Sequence, residues 1–456
     1  MTKQGPKELV EKLTDRKATV VIVGMGYVGL PLACALAEAG HHVVGIDSAA
    51  SKVEGINAGR SHIEDVPAEQ LQRLLEAGRL TATTNYEAAR VADAAIIAVP
   101  TPIDEFRVPD LTYVRAAAHS LAQVMPKGSL VVLESTTYPG TTEEVLVPAF
   151  RERGFMPGVD VFVGYSPERI DPGNKSWSIH NTPKVVCGLT KSCMDATIAL
   201  YSTIVEQLVP VSNIRTAEIT KLFENIFRGV NIALVNEFQV ICDAFGIDVW
   251  EVIHACSTKP YGFTPFYPGP GLGGHCVPVD PFYLAWKARQ LGVNTEFIEL
   301  SGRVNAAMPN YVVMKVMRLL NANHKALNGS RVGLLGVAYK KNSSDVRESP
   351  AIKIIELLLQ EGAVVSYHDP HVPSFDVSGH ELRSEPSLRN FLASQDCAVV
   401  VADHDAIDWT LVLQYAPMII DTRNVLGRLS PFMVKASQTP QPSQSAERRG
   451  HRGDSA

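Results

Sequence analysis

Between Pro268 and Asp280 the chain places four glycines (Gly269, Gly271, Gly273, Gly274), then a single thiol, Cys276, then a carboxylate at Asp280. Glycine serves where the backbone must take unusual dihedrals or close tightly on a ligand. A Gly-rich loop running into a cysteine reads as a placed nucleophile. It also reads as an ordinary turn beside a buried structural cysteine, since unpaired Cys is among the most buried residue types. A thiolate has one particular use in oxidation. An alcohol needs only a base to release hydride, whereas an aldehyde must first accept a nucleophile. Thiolate addition gives a thiohemiacetal, its oxidation a thioester, and water then releases the acid. Such a site also needs a cation to steady oxyanions and a group to handle water or protons. Lys221 and Asn225 stand at i and i+4 on one helix face, an arrangement equally common on plain surfaces. Asp280 could orient a water, and Glu168 in Ser166-Pro167-Glu168-Arg169 brings a second carboxylate to a strand end.

The electron acceptor has its own signature. Gly24-Met25-Gly26-Tyr27-Val28-Gly29 follows the strand-like Ala18–Val23 run and opens a small, apolar helical segment. In that context G-x-G-x-x-G lets the backbone approach a pyrophosphate at a helix N-terminus. Asp47 ends the second strand, where a carboxylate would bind the adenosine ribose hydroxyls and repel a 2′-phosphate, favouring NAD over NADP; a capping role is the alternative. Pro100 and Thr101 end a third strand and Thr136 a fourth, at carboxyl edges where open α/β sheets bind ligands.

These residues need a scaffold. Strands at Ala18–Val23, His42–Ile46, Ala94–Val99 and Ser129–Leu133 alternate with helical sequence, which implies a parallel sheet with right-handed crossovers. Two short strands are expected near Val161–Gly164 and Lys184–Val186. An uninterrupted helix is expected from Ile214 to about Phe245, with Leu222, Ile226, Val230, Leu234 and Phe238 on one face, as the spine of an all-α middle domain. A second helix spans Glu296 to Leu320, with a kink or break at Pro309. Strands at Arg331–Val337, Ala363–Tyr367, Cys397–Val401 and Met418–Ile420 form a second α/β domain. The expected fold is thus two Rossmann-like, doubly wound parallel-sheet domains joined by a helical one. The boundaries are 1–17 (extension), 18–212, 213–322, 323–435 and a disordered polar tail over 436–456.

At 456 residues and 46% hydrophobic content the chain suits two to three globular domains. A net charge of −6 without a basic cluster argues against nucleic acid; Arg448, Arg449 and Arg452 sit in the polar tail. Seven scattered cysteines with no C-x-x-C pair suggest neither a disulfide framework nor a metal site and fit a reducing compartment. No apolar run approaches a membrane span, and Met1–Lys17 lacks a signal-peptide core. The expected location is cytoplasmic.

Taken together, the strings resemble the UDP-glucose/GDP-mannose dehydrogenase family over residues 18 to 434. They are the Gly24–Gly29 fingerprint, Val99-Pro100-Thr101-Pro102, Glu134-Ser135-Thr136, Ser166-Pro167-Glu168-Arg169, Lys221-x-x-x-Asn225, the Cys276 loop, and Ala338-Tyr339-Lys340-Lys341 with Asp345-x-Arg347-x-Ser349-Pro350. The resemblance implies an NAD-dependent, two-step oxidation of a sugar C6 hydroxyl with Cys276 as nucleophile. It implies oxyanion stabilisation by Lys221 and Asn225, water held by Asp280 and Thr136, and acid–base help from Glu168. It implies cofactor contacts from Gly24, Gly26, Tyr27, Val28, Gly29, Asp47, Lys52, Pro100, Thr101, Thr136 and Arg347. Substrate contacts are implied for Glu168, Arg169, Lys221, Asn225, Tyr267, Gly271, Gly273 and Lys340. Arg303 is a further substrate candidate or an exposed helix charge. The implied partners are a UDP-sugar and a second copy of the chain, dimerised on the long helix, with a role in surface-polysaccharide precursors. Tyr267-Pro268-Gly269-Pro270-Gly271 with His275 resembles the branch acting on N-acetylated UDP-hexosamines: UDP-N-acetylglucosamine first, UDP-N-acetylmannosamine second, UDP-glucose third. A single-oxidation dehydrogenase with a structural Cys276, and a non-catalytic sugar-nucleotide sensor, are the rival readings.

Overall fold

The computed structural model describes residues 5–429 except 105, 172, 173, 175 and 275. The tail expected to be disordered, 436–456, and His275 lie outside the described residues. The chain divides into two compact units, residues up to Phe227 with Val279–Ile298, and Arg228–Pro278 with Glu299 onward.

The first unit is built on an eight-stranded sheet: β1 Thr19–Val23, β2 His42–Ile46, β3 Leu80–Thr83, β4 Ala94–Ile97, β5 Ser129–Leu133, β6 Val161–Tyr165, β7 Lys184–Gly188 and β8 Leu208–Pro210. The spatial order is β3-β2-β1-β4-β5-β6-β7-β8. The central strands are β-branched and apolar throughout because helices cover both faces, so no polar alternation is required. Val20 pairs with Val43 on one side and with Ala94 on the other. Strand order reverses at this β1/β4 boundary, which opens a crevice beyond the carboxyl ends. The sheet is not wholly parallel, however: β7 runs antiparallel to β6. No helix occurs among the described residues of the 166–183 connection, so the chain turns back where a crossover would have kept direction. Strands β3 and β8 were not among the sequence expectations. The N-terminal extension contributes a helix, Pro6–Thr14, packed on the helix Lys191–Tyr201. Leu9 and Leu13 are buried in that contact, and Lys12 pairs with Asp93 at 2.7 Å.

The second unit carries a four-stranded parallel sheet in the order β10-β9-β13-β14, from β9 Arg331–Leu335, β10 Val364–His368, β13 Cys397–Val400 and β14 Ile419–Asp421. A hairpin of β11 Ser374–Val377 and β12 His380–Arg383 is appended. The two long helices are Ile214–Phe245 and Glu296–Ala322, the latter continuing through Pro309 rather than breaking. The expected apolar face of the first is corrected in part. Leu222 and Ile226 are buried, but farther on the buried line is Ala233, Asn236 and Cys242, while Leu234 and Phe238 are exposed. A spacing of four drifts around a 3.6-residue turn, so Leu234 and Phe238 leave the face that starts at Leu222.

Candidate active site

In the first unit the turn after β1 is built by glycines with different duties. Gly24 has φ +95°, and a Cβ there would lie 2.4 Å from the Ala98 carbonyl oxygen. A Cβ on Gly29 would lie 1.8 Å from the Gly24 carbonyl oxygen. Gly26 differs, because nothing lies within 4 Å of its Cβ position. Two glycines thus close the turn and the third leaves open backbone, the cradle a dinucleotide pyrophosphate requires. Exposed Tyr27 and half-buried Val28 follow, at the start of the helix Gly29–Glu38. Asp47 accepts the Met25 and Ala49 N–H groups at 3.0 and 2.9 Å, with Lys52 Nζ 3.6 Å away. It therefore holds the turn that follows β1 as well as ending β2, as the capping reading expects. Thr101 Oγ1 donates to the Thr136 carbonyl at 2.8 Å and Ser135 Oγ to the Val99 carbonyl at 2.8 Å, joining the loops after β4 and β5. Pro100 is exposed at that edge and Thr136 half-buried.

Lys221, Asn225 and Asp280 come together as a second group. Asn225 Nδ2 donates to Asp280 Oδ2 at 2.5 Å, and both side chains are buried. Burial pushes the Asp280 carboxyl up to about 7, while the Lys221 charge and the Asn225 amide pull it the other way. One turn before Lys221, Glu218 is buried and accepts the Gly140 N–H, the Thr142 N–H and the Thr142 hydroxyl at 2.5, 2.9 and 2.7 Å. Burial raises this acid to about 7 as well. Sequence reading missed Glu218. It fixes the turn of the long helix before Lys221 to the loop that follows Thr136.

Glu168 accepts the N–H groups of Arg169 and Ile170 on Oε1, both at 2.6 Å. Arg169 is turned to Glu224 (2.6 Å) and to the Pro183 carbonyl (2.6 Å), so its guanidinium is engaged within the protein. Glu134 and Lys184, to which the sequence assigned no role, form a buried ion pair at 3.0 Å beside Glu168. Buried Tyr165 lies among these groups. Burial first, then the charges of Glu218, Asp280 and Glu134, raise its phenol well above the ordinary range.

In the second unit the Gly-rich loop is packed on protein. A Cβ on Gly273 would meet Tyr339 Cβ at 2.7 Å and the Glu348 carbonyl at 2.9 Å, and one on Gly274 would meet the Tyr339 ring at 2.9 Å. Gly271, at φ +135°, lies under Pro350 and Pro309. Tyr339 and Pro350 thus fill the space that a side chain would take at these positions. What the loop offers is a fixed backbone leading to Cys276, which is exposed; none of the seven cysteines forms a disulfide. Two buried asparagines, also missed, anchor the loop. Asn236 accepts the Gly269 N–H at 2.9 Å and donates to Asn305 at 2.9 Å, which in turn donates to the Gly229 carbonyl at 3.1 Å. Tyr267 is exposed and stacked on Trp250, with ring centroids 5.4 Å apart. Arg303 is exposed and Lys340 half-buried, whereas the Arg347 fork is held by Asp345 at 2.7 and 2.9 Å.

Three sequence models of the UDP-glucose/GDP-mannose dehydrogenase family match the chain: the NAD binding domain over residues 18–205, the central domain over 215–307 and the UDP binding domain over 333–428. The chain is 38% identical to the UDP-N-acetyl-D-glucosamine 6-dehydrogenase of Pseudomonas aeruginosa, over 80% of this chain and 86% of that protein. It is 36% identical to the NDP-N-acetyl-D-galactosaminuronic acid dehydrogenase of Ralstonia solanacearum, over 85% and 90%. Among solved structures, a UDP-D-ManNAc dehydrogenase from Pyrococcus horikoshii superposes with a TM-score of 0.82 at 32% identity, covering 89% of this chain and 95% of that one.

Proposed function

The chain belongs to the UDP-glucose/GDP-mannose dehydrogenase family, and on that premise we propose that it oxidises the C6 hydroxyl of UDP-N-acetylglucosamine to the carboxylate in two steps. The Gly24–Gly29 turn would hold NAD, which would supply the hydride acceptor for both oxidations. The alcohol proton leaves to Glu168 and the aldehyde carbon forms. The Cys276 thiolate then adds to that carbon, and the resulting oxygen of the thiohemiacetal is steadied by Lys221 and Asn225. Loss of the second hydride leaves a thioester, and a water held by Asp280 and Thr136 attacks it. The C–S bond breaks, the acid is released and the thiol is restored, so the two oxidations balance two reduced cofactors.

The observation that carries this reading is Asp280, a buried acid brought near neutrality and held by Asn225. A structural cap has no need of that arrangement, whereas a water-handling group does. UDP-N-acetylmannosamine and UDP-glucose are the next substrates to try. A homodimer on the long helix and a cytoplasmic location belong to the same reading. Exposed Leu234, Phe238, Ile241 and Phe245 support the first, and seven cysteines without a disulfide the second.

The test is the ratio of NADH to sugar across these UDP-sugars. Two NADH per sugar, with uronic acid as product, is the expected result; one NADH with free aldehyde would overturn it. Cys276→Ser should stop turnover before acid release, whereas a structural cysteine would leave it near normal.

A further inference from the structure

Lys184 opens β7 beside the strand with which it runs antiparallel, and its side chain is only 5% exposed. Its ammonium sits between two acids, 3.0 Å from Glu134 Oε1 and 3.7 Å from Glu168 Oε2. Glu134 is completely buried at the end of β5, and the Tyr201 hydroxyl donates to the same Oε1 at 2.5 Å. The Lys184 ammonium also lies 5.1 Å from the Tyr201 ring centroid. Glu168 is held from its other side, since Oε1 takes two backbone N–H groups. Its Oε2 is buried and accepts no hydrogen bond among the described residues. The neighbouring cation, Arg169, is turned to Glu224 of the long helix, which leaves Lys184 as the cation facing Glu168 among the described residues.

A buried ammonium carries a desolvation cost that one well-placed carboxylate offsets. Glu134 is that carboxylate, and the two charges support each other: burial works against both, and each pulls the other back towards its ionised form. The second acid, Glu168, adds to the charge that favours the ammonium. It also gains a fixed orientation.

We propose that Lys184 is a positioning residue for Glu168: its ammonium, anchored on Glu134, fixes the Oε2 edge of the carboxylate that the backbone grips by Oε1. This rests on the reading of Glu168 as the proton-handling group of the oxidation. Lys184 touches no reacting atom in this scheme. It sets the direction from which the Glu168 oxygen meets the substrate hydroxyl, and misdirection of a base by a fraction of an ångström is costly.

The experiment is a double-mutant cycle on the full-length enzyme, measuring kcat and both KM values with the UDP-sugar that the wild type oxidises. Lys184→Met should lower kcat about 10- to 100-fold with the KM for NAD nearly unchanged. Lys184→Arg should recover most of that loss. In a Glu168→Gln background Lys184→Met should cost nothing further, because its effect passes through Glu168. Losses that multiply, an Arg variant as poor as Met, or an unchanged kcat in Lys184→Met would each overturn the proposal. If Lys184→Met does not fold, Glu134→Gln takes its place in the cycle. It keeps an acceptor for Tyr201, and multiplying losses or an unchanged kcat would again overturn the proposal. A wild type that oxidises no UDP-sugar overturns the functional reading itself, whereas multiplying losses in an active enzyme overturn only the role of Lys184.

Discussion

Asp280 is a carboxylic acid whose surroundings act against its own charge. It opens the helix Asp280–Gln290, and burial lifts it from the ordinary carboxylate range to about 7. The opposing influences are the Lys221 ammonium and the Asn225 amide, which favour the ionised form. If the ionised form handles water, kcat rises with pH through about 7 as the proton leaves. Asn225→Ala removes a donor to the carboxylate, so the acid limb should move to higher pH. Asp280→Asn should abolish the limb and lower kcat about 100-fold, the scale expected for losing a proton-handling group. A kcat–pH profile of the three proteins checks the sign directly, and a limb that stays in place in Asp280→Asn assigns it to another group.

At the scale of the element, the turn after β1 separates a glycine needed by the fold from one needed by a ligand. Gly29→Ala drives a methyl into the Gly24 carbonyl and should destabilise the first unit by about 3 kcal/mol or more. Gly26→Ala meets no protein atom, so its melting temperature should stay within about 2 °C of wild type. Its KM for NAD should rise about tenfold, because the methyl stands where the ligand's pyrophosphate must approach. Thermal melts and NADH kinetics on the two variants settle the division. The turn could be read from sequence because its motif is local: a β-branched strand, fixed glycine spacing, a helix. Strands β2 and β5 were legible for the same reason, as short apolar runs with turns at both ends. By contrast β3, Leu-Thr-Ala-Thr, and the hairpin β11–β12 alternate with exposed polar residues and offer no apolar run. The charged residues behind the site were the least legible. Glu134, Lys184 and Glu218 are ordinary surface types; the Glu134–Lys184 pair spans 50 positions and the Glu218 bonds 76 or more, and no local spacing announces such pairs.

Across the whole molecule the buried acids of the two units shift in opposite directions. In the first, burial raises the acids Glu134, Glu218 and Asp280 above their ordinary range. A raised acid binds protons in the folded state that it has lost in the unfolded one, so its stabilisation is complete at low pH and declines as pH rises through the folded value. For Glu218 and Asp280 that window runs from about 4 to about 7. In the second unit Asp369 has the reverse tendency. Burial works against its charge, but the hydrogen bond from buried His404 and the Val337 N–H bond outweigh it and hold the carboxyl below its ordinary range. Asp396 is also lowered, first by Lys325 and then by the Arg331 N–H. Stability from lowered acids is present at neutral pH and lost as pH falls through the folded value. Between pH 5 and pH 8 hydrogen exchange corrected for intrinsic rates should therefore respond in the first unit and not in the second, because Asp369 and Asp396 stay ionised throughout that range. Protection of β4, β5 and β6 should be greater at pH 5 and that of β9 and β13 the same at both pH values. Glu218→Gln removes one of these titrating groups and should weaken the pH response of the first unit while leaving the second unchanged. A common pH trend in both units would mean that the buried acids beside the candidate site do not govern its stability.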